Sequence, residues 1–221
     1  MRGGRHDGNK NTPSFRRRTC PPRLTKMRLF KSHEPNLVHY VTAVAYQRVP
    51  VFSNEHCSRL FIEALSETRL KDPFKLIGYV IMPDHFRLLA NPLSADITRL
   101  VGRLKGRGAS QILRWLRAEN KTQSLAKLAL RRPLASGQTH AVWLQDFSAV
   151  DIWSHKFIRQ KLNYIHMNPV RAGLCDHPAK WRWSSYHAYF PHEPGIVPIE
   201  VDWRWYWSAE EFAGAADKSA V

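Results

Sequence analysis

The sequence has few cysteines, no apolar run of membrane length and few acidic residues. Cys20, Cys57 and Cys175 are far apart and form no Cys-x-x-Cys pair, so the sequence predicts neither a zinc knuckle nor a disulfide framework. Such sparse cysteines are typical of a reducing cytoplasm. No apolar run approaches the roughly 20 residues that a membrane helix needs, and the N-terminus lacks the apolar core of a secretory signal. We therefore expect a cytoplasmic protein with no membrane partner.

Basic residues far outnumber acidic ones. The 221 residues include 34 Lys and Arg against 18 Asp and Glu, which gives a formal net charge of +16. Hydrophobic residues make up 43% and aromatic residues 11%, a composition typical of a globular protein rather than a disordered one. A globular chain this basic usually binds a polyanion, and nucleic acid is the first candidate. The alternative is a solvated positive surface with no specific partner.

Composition divides the chain into three parts. Residues 1–35 mix Gly, Pro, Asn and Arg without an apolar period, which predicts a basic flexible tail. This tail is either an arm that strengthens binding to a nucleic-acid backbone or a solvated leader, and Met27 is an alternative start. Residues 36–190 carry the periodic segments of a catalytic or binding domain, and residues 191–221 form a Trp- and Pro-rich C-terminal tail.

The periodic segments predict an α+β fold. Strand and helix patterns alternate in the order strand, helix, strand, strand, helix, strand, helix, over residues 37–52, 53–70, 74–82, 85–91, 95–120, 141–154 and 154–168. This order predicts a ferredoxin-like antiparallel sheet with helices packed on it. We expect Gly106 and Gly108 to break or bend the helix over 95–120. Residues 121–139 have no clear assignment.

Two pairs of polar residues are candidates for a site. His85 and Arg87 lie two apart on a predicted strand and so face the same way, but a guanidinium has no lone pair to give a metal. His85 is therefore either a structural histidine or half of a metal site. Tyr164 and Asn168 lie one helical turn apart, with Lys161 nearby, and can reach one small object. The alternatives are a tyrosine at the helix edge and an asparagine that caps the helix before Pro169.

Four blocks of sequence, read together, resemble the REP-associated tyrosine transposases, a branch of the single-tyrosine HUH transposase superfamily. The blocks are VIMPDHFRLL (80–89), LKGRGA (104–109), LNYIHMNPVRAGL (162–174) and WRWSSY (181–186). The resemblance implies a ferredoxin-like catalytic fold in which Tyr164 is the nucleophile and Asn168 a metal ligand. It also implies that His85 is the first histidine of the HUH pair, while Arg87 stands where that family has the second.

The resemblance further implies a reaction and its partners. A tyrosine of this kind attacks a backbone phosphorus of single-stranded or hairpin DNA with Mg²⁺ or Mn²⁺, leaving a 5′-phosphotyrosine link and a free 3′-OH. The typical target is a repetitive extragenic palindrome (REP), which places such a protein at the nucleoid as a monomer or homodimer. Candidate DNA-binding residues are Arg87, Arg99, Arg103, Lys105, Arg107, Arg114, Lys161 and Arg171.

Arg87 leaves three alternatives open. A lost imidazole and an added cation weaken a metal site, so the protein is either a DNA-binding protein without catalysis or an enzyme that compensates. Compensation comes from Arg87 itself, which neutralises the scissile phosphate, or from His39 or His166 as a replacement ligand. An RNA-binding ferredoxin-like module is a further alternative, although the candidate strands lack its usual aromatic motif.

Overall fold

The computed structural model describes residues 36–190 and 199–202, so the predicted N-terminal tail and most of the C-terminal tail lie outside the described residues. The main strands are β1 (Val38–Val44), β2 (Phe74–Met82), β3 (His85–Pro92) and β4 (Ser148–Ile152). The helices are α1 (Glu55–Lys71), α2 (Ile97–Ala118), α3 (Thr122–Leu128), α4 (His155–His166), α5 (Asn168–Arg171) and α6 (Tyr186–Tyr189). Residues 121–139, unassigned from sequence, thus include the short helix α3.

The four strands form one antiparallel sheet in the order β2-β3-β1-β4. A two-residue turn, Pro83-Asp84, joins β2 to β3, because proline fixes φ and leaves no N–H to pair. With α1 between β1 and β2 and α2 between β3 and β4, this is the ferredoxin-like arrangement. The predicted fold class, an α+β sheet with helices packed on it, is confirmed.

One face of the sheet is covered by α1 and α2. Asn54 begins α1, since its side chain accepts hydrogen bonds from the backbone N–H groups of His56 and Cys57. Phe61 on α1 lies 4.8 Å from Phe86 on β3 and 5.4 Å from Trp143, measured between ring centroids. This aromatic cluster fills the core between the helices and the sheet.

Helix α2 is continuous, so the predicted break at Gly106 and Gly108 is wrong. Gly108 lies against α1, where an added Cβ would come within 2.8 Å of the Phe61 ring. A Cβ at Gly106 would meet no atom within 4 Å, because that face of the helix is open. Gly108 therefore lets two helices approach each other, and the packing of the apolar residues between them keeps the helix intact.

Helix α4 packs on the opposite face of the sheet. Ser154 begins it, accepting from the N–H of Phe157. Leu162 sits over Gly78 of β2, where an added Cβ would lie 2.4 Å from Leu162 Cδ1. The helix ends at His166, and Pro169 stands in the first turn of the short helix α5 rather than simply stopping the chain.

The WRWSSY segment runs beside β2. The backbone N–H of Ile81 donates to the backbone oxygen of Trp183 at 2.9 Å, and the Ser185 side chain accepts from the N–H of Tyr79 at 2.9 Å. Among residues 199–202, the Asp202 carboxylate accepts from the N–H of Leu76 at 2.6 Å. These contacts satisfy the free edge of β2, which reduces its tendency to pair with another chain. Within the described ranges, no helix is long and apolar enough to cross a bilayer.

Candidate active site

Tyr164 lies on α4 above the middle of the sheet. Its side chain is half-buried, and the edge of its ring meets Tyr40 of β1, with centroids 6.4 Å apart and planes at 78°. The Tyr164 hydroxyl forms no hydrogen bond with a described residue, yet it is not one of the buried unpaired polar atoms. This oxygen is therefore open to solvent and available to an external group.

Arg87 reaches from β3 to the same place. Its guanidinium carbon lies 5.1 Å from the centroid of the Tyr164 ring. One terminal nitrogen, Nη1, donates to the Tyr40 hydroxyl at 2.6 Å and to the Thr42 hydroxyl at 3.1 Å. Nε donates to Oδ1 of Asn168 at 3.4 Å, a long bond. Three acceptors, two on β1 and one on α5, thus fix the guanidinium in position.

Strand alternation explains this grouping. Thr42 is paired with Arg87 in the register of β1 and β3, and Tyr40 lies two residues before Thr42, so all three side chains project from the same face. Burial raises the pKa of Tyr40, although the Arg87 charge opposes this shift, so the phenol is neutral and accepts the hydrogen bond. Sequence reasoning missed Tyr40 and Thr42. The signal was present in their spacing, but using it requires the register.

His85 lies two residues before Arg87 on the same face. Its Nδ1 is 2.7 Å from Oδ1 of Asp84, which orients the ring. Nε2 is buried and meets no hydrogen-bond criterion with any described residue, although the Asn168 side chain is near enough to affect the pKa of the ring. Burial holds the pKa of His85 below its usual range, the Arg87 charge adds to this, and the Asp84 hydrogen bond opposes it.

Three positive side chains surround the Tyr164 ring. Arg171 of α5 lies 5.0 Å from the ring centroid and Lys161 of α4 lies 6.0 Å from it. Together with Arg87 they form the Tyr164 cation cluster. In the described part of the chain, none of the three is ion-paired with a carboxylate. The cluster therefore has positive charge that is not neutralised within the described structure, which favours an anion beside the phenol.

Most of the predicted basic residues on α2, unlike the Tyr164 cation cluster, are already paired with groups of the protein. Arg99 and Arg103 both pair with the buried carboxylate of Asp72, each at 3.0 Å, and Arg107 pairs with Glu67 at 2.6 Å. Arg114 is exposed on the same helix.

Lys105 is the fifth basic residue predicted on α2, and it is buried. Its ammonium donates to the backbone oxygens of Leu144 and Gln145, at 2.8 and 2.9 Å, so it is not available to a DNA phosphate. All five α2 side chains belong to the helix on the other side of the sheet from Tyr164.

The residues present do not fit the divalent ion that the family resemblance implies. His85 Nε2 has the buried, unpaired lone pair that a ligand needs, and its Asp84 contact resembles the support usually given to metal-binding imidazoles. The Asn168 oxygen, however, already accepts from Arg87, a permanent cation. Across residues 36–190 and 199–202, no three His, Cys, Asp or Glu side chains converge as a metal group. One imidazole and one amide oxygen that already accepts from a cation form a weak ligand set for Mg²⁺ or Mn²⁺, because Mg²⁺ is usually bound through carboxylates and an adjacent cation repels the ion.

Neither alternative histidine completes the site. His39 projects from the face opposite Arg87, since it is one residue out of phase with Tyr40, and its Nδ1 lies 2.8 Å from Asp151. His166 is buried, with Nε2 3.0 Å from the Ser185 hydroxyl and aromatic rings around it. Burial lowers the pKa of His166 to about 3, so it is a neutral core residue.

Comparison with known proteins agrees with this fold. Residues 34–127 match the family described as Transposase IS200 like, a range that ends before Tyr164. Over that range the chain is similar to the IS200-like transposase domains.

Within that class, the chain resembles the REP-associated tyrosine transposases, which confirms the resemblance seen in the sequence. A Haemophilus influenzae protein whose name assigns it to that family is 26% identical over 152 residues, covering 68% of this chain and 80% of the relative. The solved structure of a REP-associated tyrosine transposase bound to a REP hairpin has a TM-score of 0.56 and 15% identity. That match covers 81% of this chain and 93% of the solved one, and it supports the shared fold.

Proposed function

We propose that the protein binds hairpin DNA on the sheet face covered by α4 and cleaves its single-stranded flank through Tyr164. The observation that carries this proposal is the Tyr164 cation cluster: a solvent-accessible phenol oxygen with three cations beside its ring and no described carboxylate paired to them. A DNA phosphate supplies the missing negative charge. The net charge of +16 and the hairpin bound by the structural relative support DNA as the partner.

The chemistry is a transesterification that needs no external energy source. The Tyr164 oxygen attacks a backbone phosphorus, a new phosphorus–oxygen bond forms, and the bond from phosphorus to the 3′ oxygen breaks. The phenol proton leaves to water, and the departing 3′ oxygen takes a proton from water. The products are a 5′-phosphotyrosine link and a free 3′-OH. Reversal of the same step rejoins the strand, because one phosphodiester bond replaces another.

A second candidate function is hairpin binding without cleavage. The observation that favours it is the weak ligand set, since one imidazole and an amide oxygen shared with the Arg87 cation bind a divalent ion poorly. Under this alternative, the cation cluster binds a phosphate and Tyr164 only packs against the DNA.

A covalent-adduct assay separates the two functions. Full-length protein is incubated with a labelled DNA hairpin carrying a single-stranded flank, then run on a denaturing gel with Mn²⁺ or with EDTA. We expect a slow-migrating adduct that disappears in Tyr164→Phe, because that change removes only the attacking oxygen. Tyr46→Phe is the matched control, since the Tyr46 hydroxyl contacts Gln47 outside the site, and it should retain the adduct.

Peptide mass spectrometry of the adduct then identifies the modified residue. A nucleotide linked through phosphate to Tyr164 supports the proposal. A nucleotide linked to Tyr40 would show that the neighbouring phenol, not Tyr164, is the nucleophile. Tight hairpin binding without adduct in either condition would establish the non-catalytic alternative. The same hairpin made of RNA tests the remaining class, and equal or tighter RNA binding would overturn a DNA function.

A further inference from the structure

The hydrogen bonds of Arg87 leave one side of its guanidinium open. A guanidinium has five N–H groups. Nε and Nη1 use theirs on Asn168, Tyr40 and Thr42. Nη2 has no partner among the described residues, and it is not one of the buried unpaired atoms. Two N–H donors on one nitrogen therefore remain available to solvent, beside the Tyr164 ring.

The same guanidinium blocks the position of a metal ion. A divalent ion shared by His85 Nε2 and Asn168 Oδ1 would have to lie next to a fixed positive charge that already uses the Asn168 oxygen. Arg87 cannot easily swing away, since its contacts on β1 hold it at 2.6 and 3.1 Å. The cation at this position is therefore the Arg87 guanidinium rather than a metal ion.

We propose that Arg87 is the phosphate-binding cation of this site and takes the place of a divalent metal ion. Its Nη2 donates to a non-bridging oxygen of the DNA phosphate that faces Tyr164, while Tyr40, Thr42 and Asn168 hold the guanidinium in the correct orientation. This inference rests on the proposed DNA-binding function, but it holds whether or not Tyr164 cleaves the strand. Under this inference, phosphate binding at the site needs no metal ion.

The first test measures metal binding without DNA. Free Mn²⁺ is followed by electron paramagnetic resonance during titration of the wild-type protein, Asn168→Ala, Arg87→His, and Arg87→His combined with Asn168→Ala. We expect no specific Mn²⁺ site in the wild type. Arg87→His should gain one site, because it removes the charge and adds an imidazole, and the double variant should lose it again. A wild-type Mn²⁺ site that Asn168→Ala abolishes would overturn the proposal, as would an Arg87→His protein that binds no Mn²⁺.

The second test measures phosphate binding by fluorescence anisotropy of a labelled hairpin in EDTA. Arg87→Met keeps the aliphatic stem and removes the charge, and we expect roughly a tenfold or greater weakening, as for a lost charge-assisted hydrogen bond. Arg59→Met is the charge-matched control, since Arg59 is an exposed residue of α1 paired with Glu55, and it should bind almost as the wild type does. Circular dichroism confirms that each variant is folded. Unchanged affinity in Arg87→Met would overturn the inference.

The two proposals fail in distinguishable ways. If no adduct forms under any condition but wild-type protein excludes Mn²⁺ and Arg87→Met binds the hairpin weakly, cleavage is refuted and the role of Arg87 is supported. If an adduct forms on Tyr164 only when Mn²⁺ is present, cleavage is supported and the replacement of metal by Arg87 is refuted. An adduct of equal yield in EDTA and Mn²⁺ supports both.

Discussion

Removing Arg171 should change how strongly hairpin binding depends on salt. Arg171 is exposed on α5, has no described carboxylate partner and lies 5.0 Å from the Tyr164 ring. A cation that neutralises one phosphate of single-stranded DNA releases counterions and contributes a slope of about 0.7 to the plot of log affinity against log salt. If Arg87, Lys161 and Arg171 each meet one phosphate, the Tyr164 cation cluster contributes roughly 2 to the total slope.

The assay measures hairpin affinity by anisotropy across a series of salt concentrations for wild type, Arg171→Met and Arg59→Met. We expect Arg171→Met to lower the slope by about 0.7, and by about 0.9 if the contacted phosphate belongs to a duplex stem. Arg59→Met removes the same charge from a residue that is paired with Glu55 on α1, so its slope should match the wild type. Equal slopes for all three proteins would refute the location of the DNA beside Tyr164.

Two further predictions concern the core. Gly108→Ala should destabilise the protein by about 1–2 kcal/mol, because the new methyl meets the buried Phe61 ring and overpacking exceeds the gain in helix propensity. Gly106→Ala should stabilise it by roughly 0.5–1 kcal/mol, because its Cβ meets no atom and only the gain in helix propensity remains. Urea unfolding measures both changes, and the same result for the two variants would contradict the close contact of Gly108 with Phe61. Burial raises the pKa of Cys57 to about 11, so at pH 8 only about one Cys57 thiol in a thousand is ionised. Alkylation of the folded protein, followed by peptide mass spectrometry, should therefore modify half-buried Cys175 well before Cys57. Equal labelling of the two cysteines would contradict the burial of Cys57.

The element order and the sheet face of the site were predictable from sequence because both depend on local periodicity. Alternation along β3 places His85 and Arg87 on one face, and the structure has them there. The break expected at Gly108 was wrong because propensity describes an isolated helix, whereas the Phe61 ring and its neighbours hold this one together.

The partners of charged residues were not predictable, because they depend on contacts between distant elements. Lys105 has the sequence neighbourhood of a surface lysine, but the loop at Leu144 and Gln145 folds over it. Arg87 was expected on the same strand face as His85, while its acceptors on β1 follow only from the pairing of Thr42 with Arg87. Roles in catalysis or DNA binding stay predictions for all of these residues.

Gly78 sets the height of the phenol above the sheet. Because position 78 has no side chain, Leu162 packs directly against the backbone of β2 and α4 lies close to the sheet. A methyl group there would require the leucine to turn or the whole helix to rise, and Tyr164, two residues further along, would rise with it. The distance between the Tyr164 phenol and the Arg87 guanidinium therefore depends on a buried strand position that belongs to neither side chain.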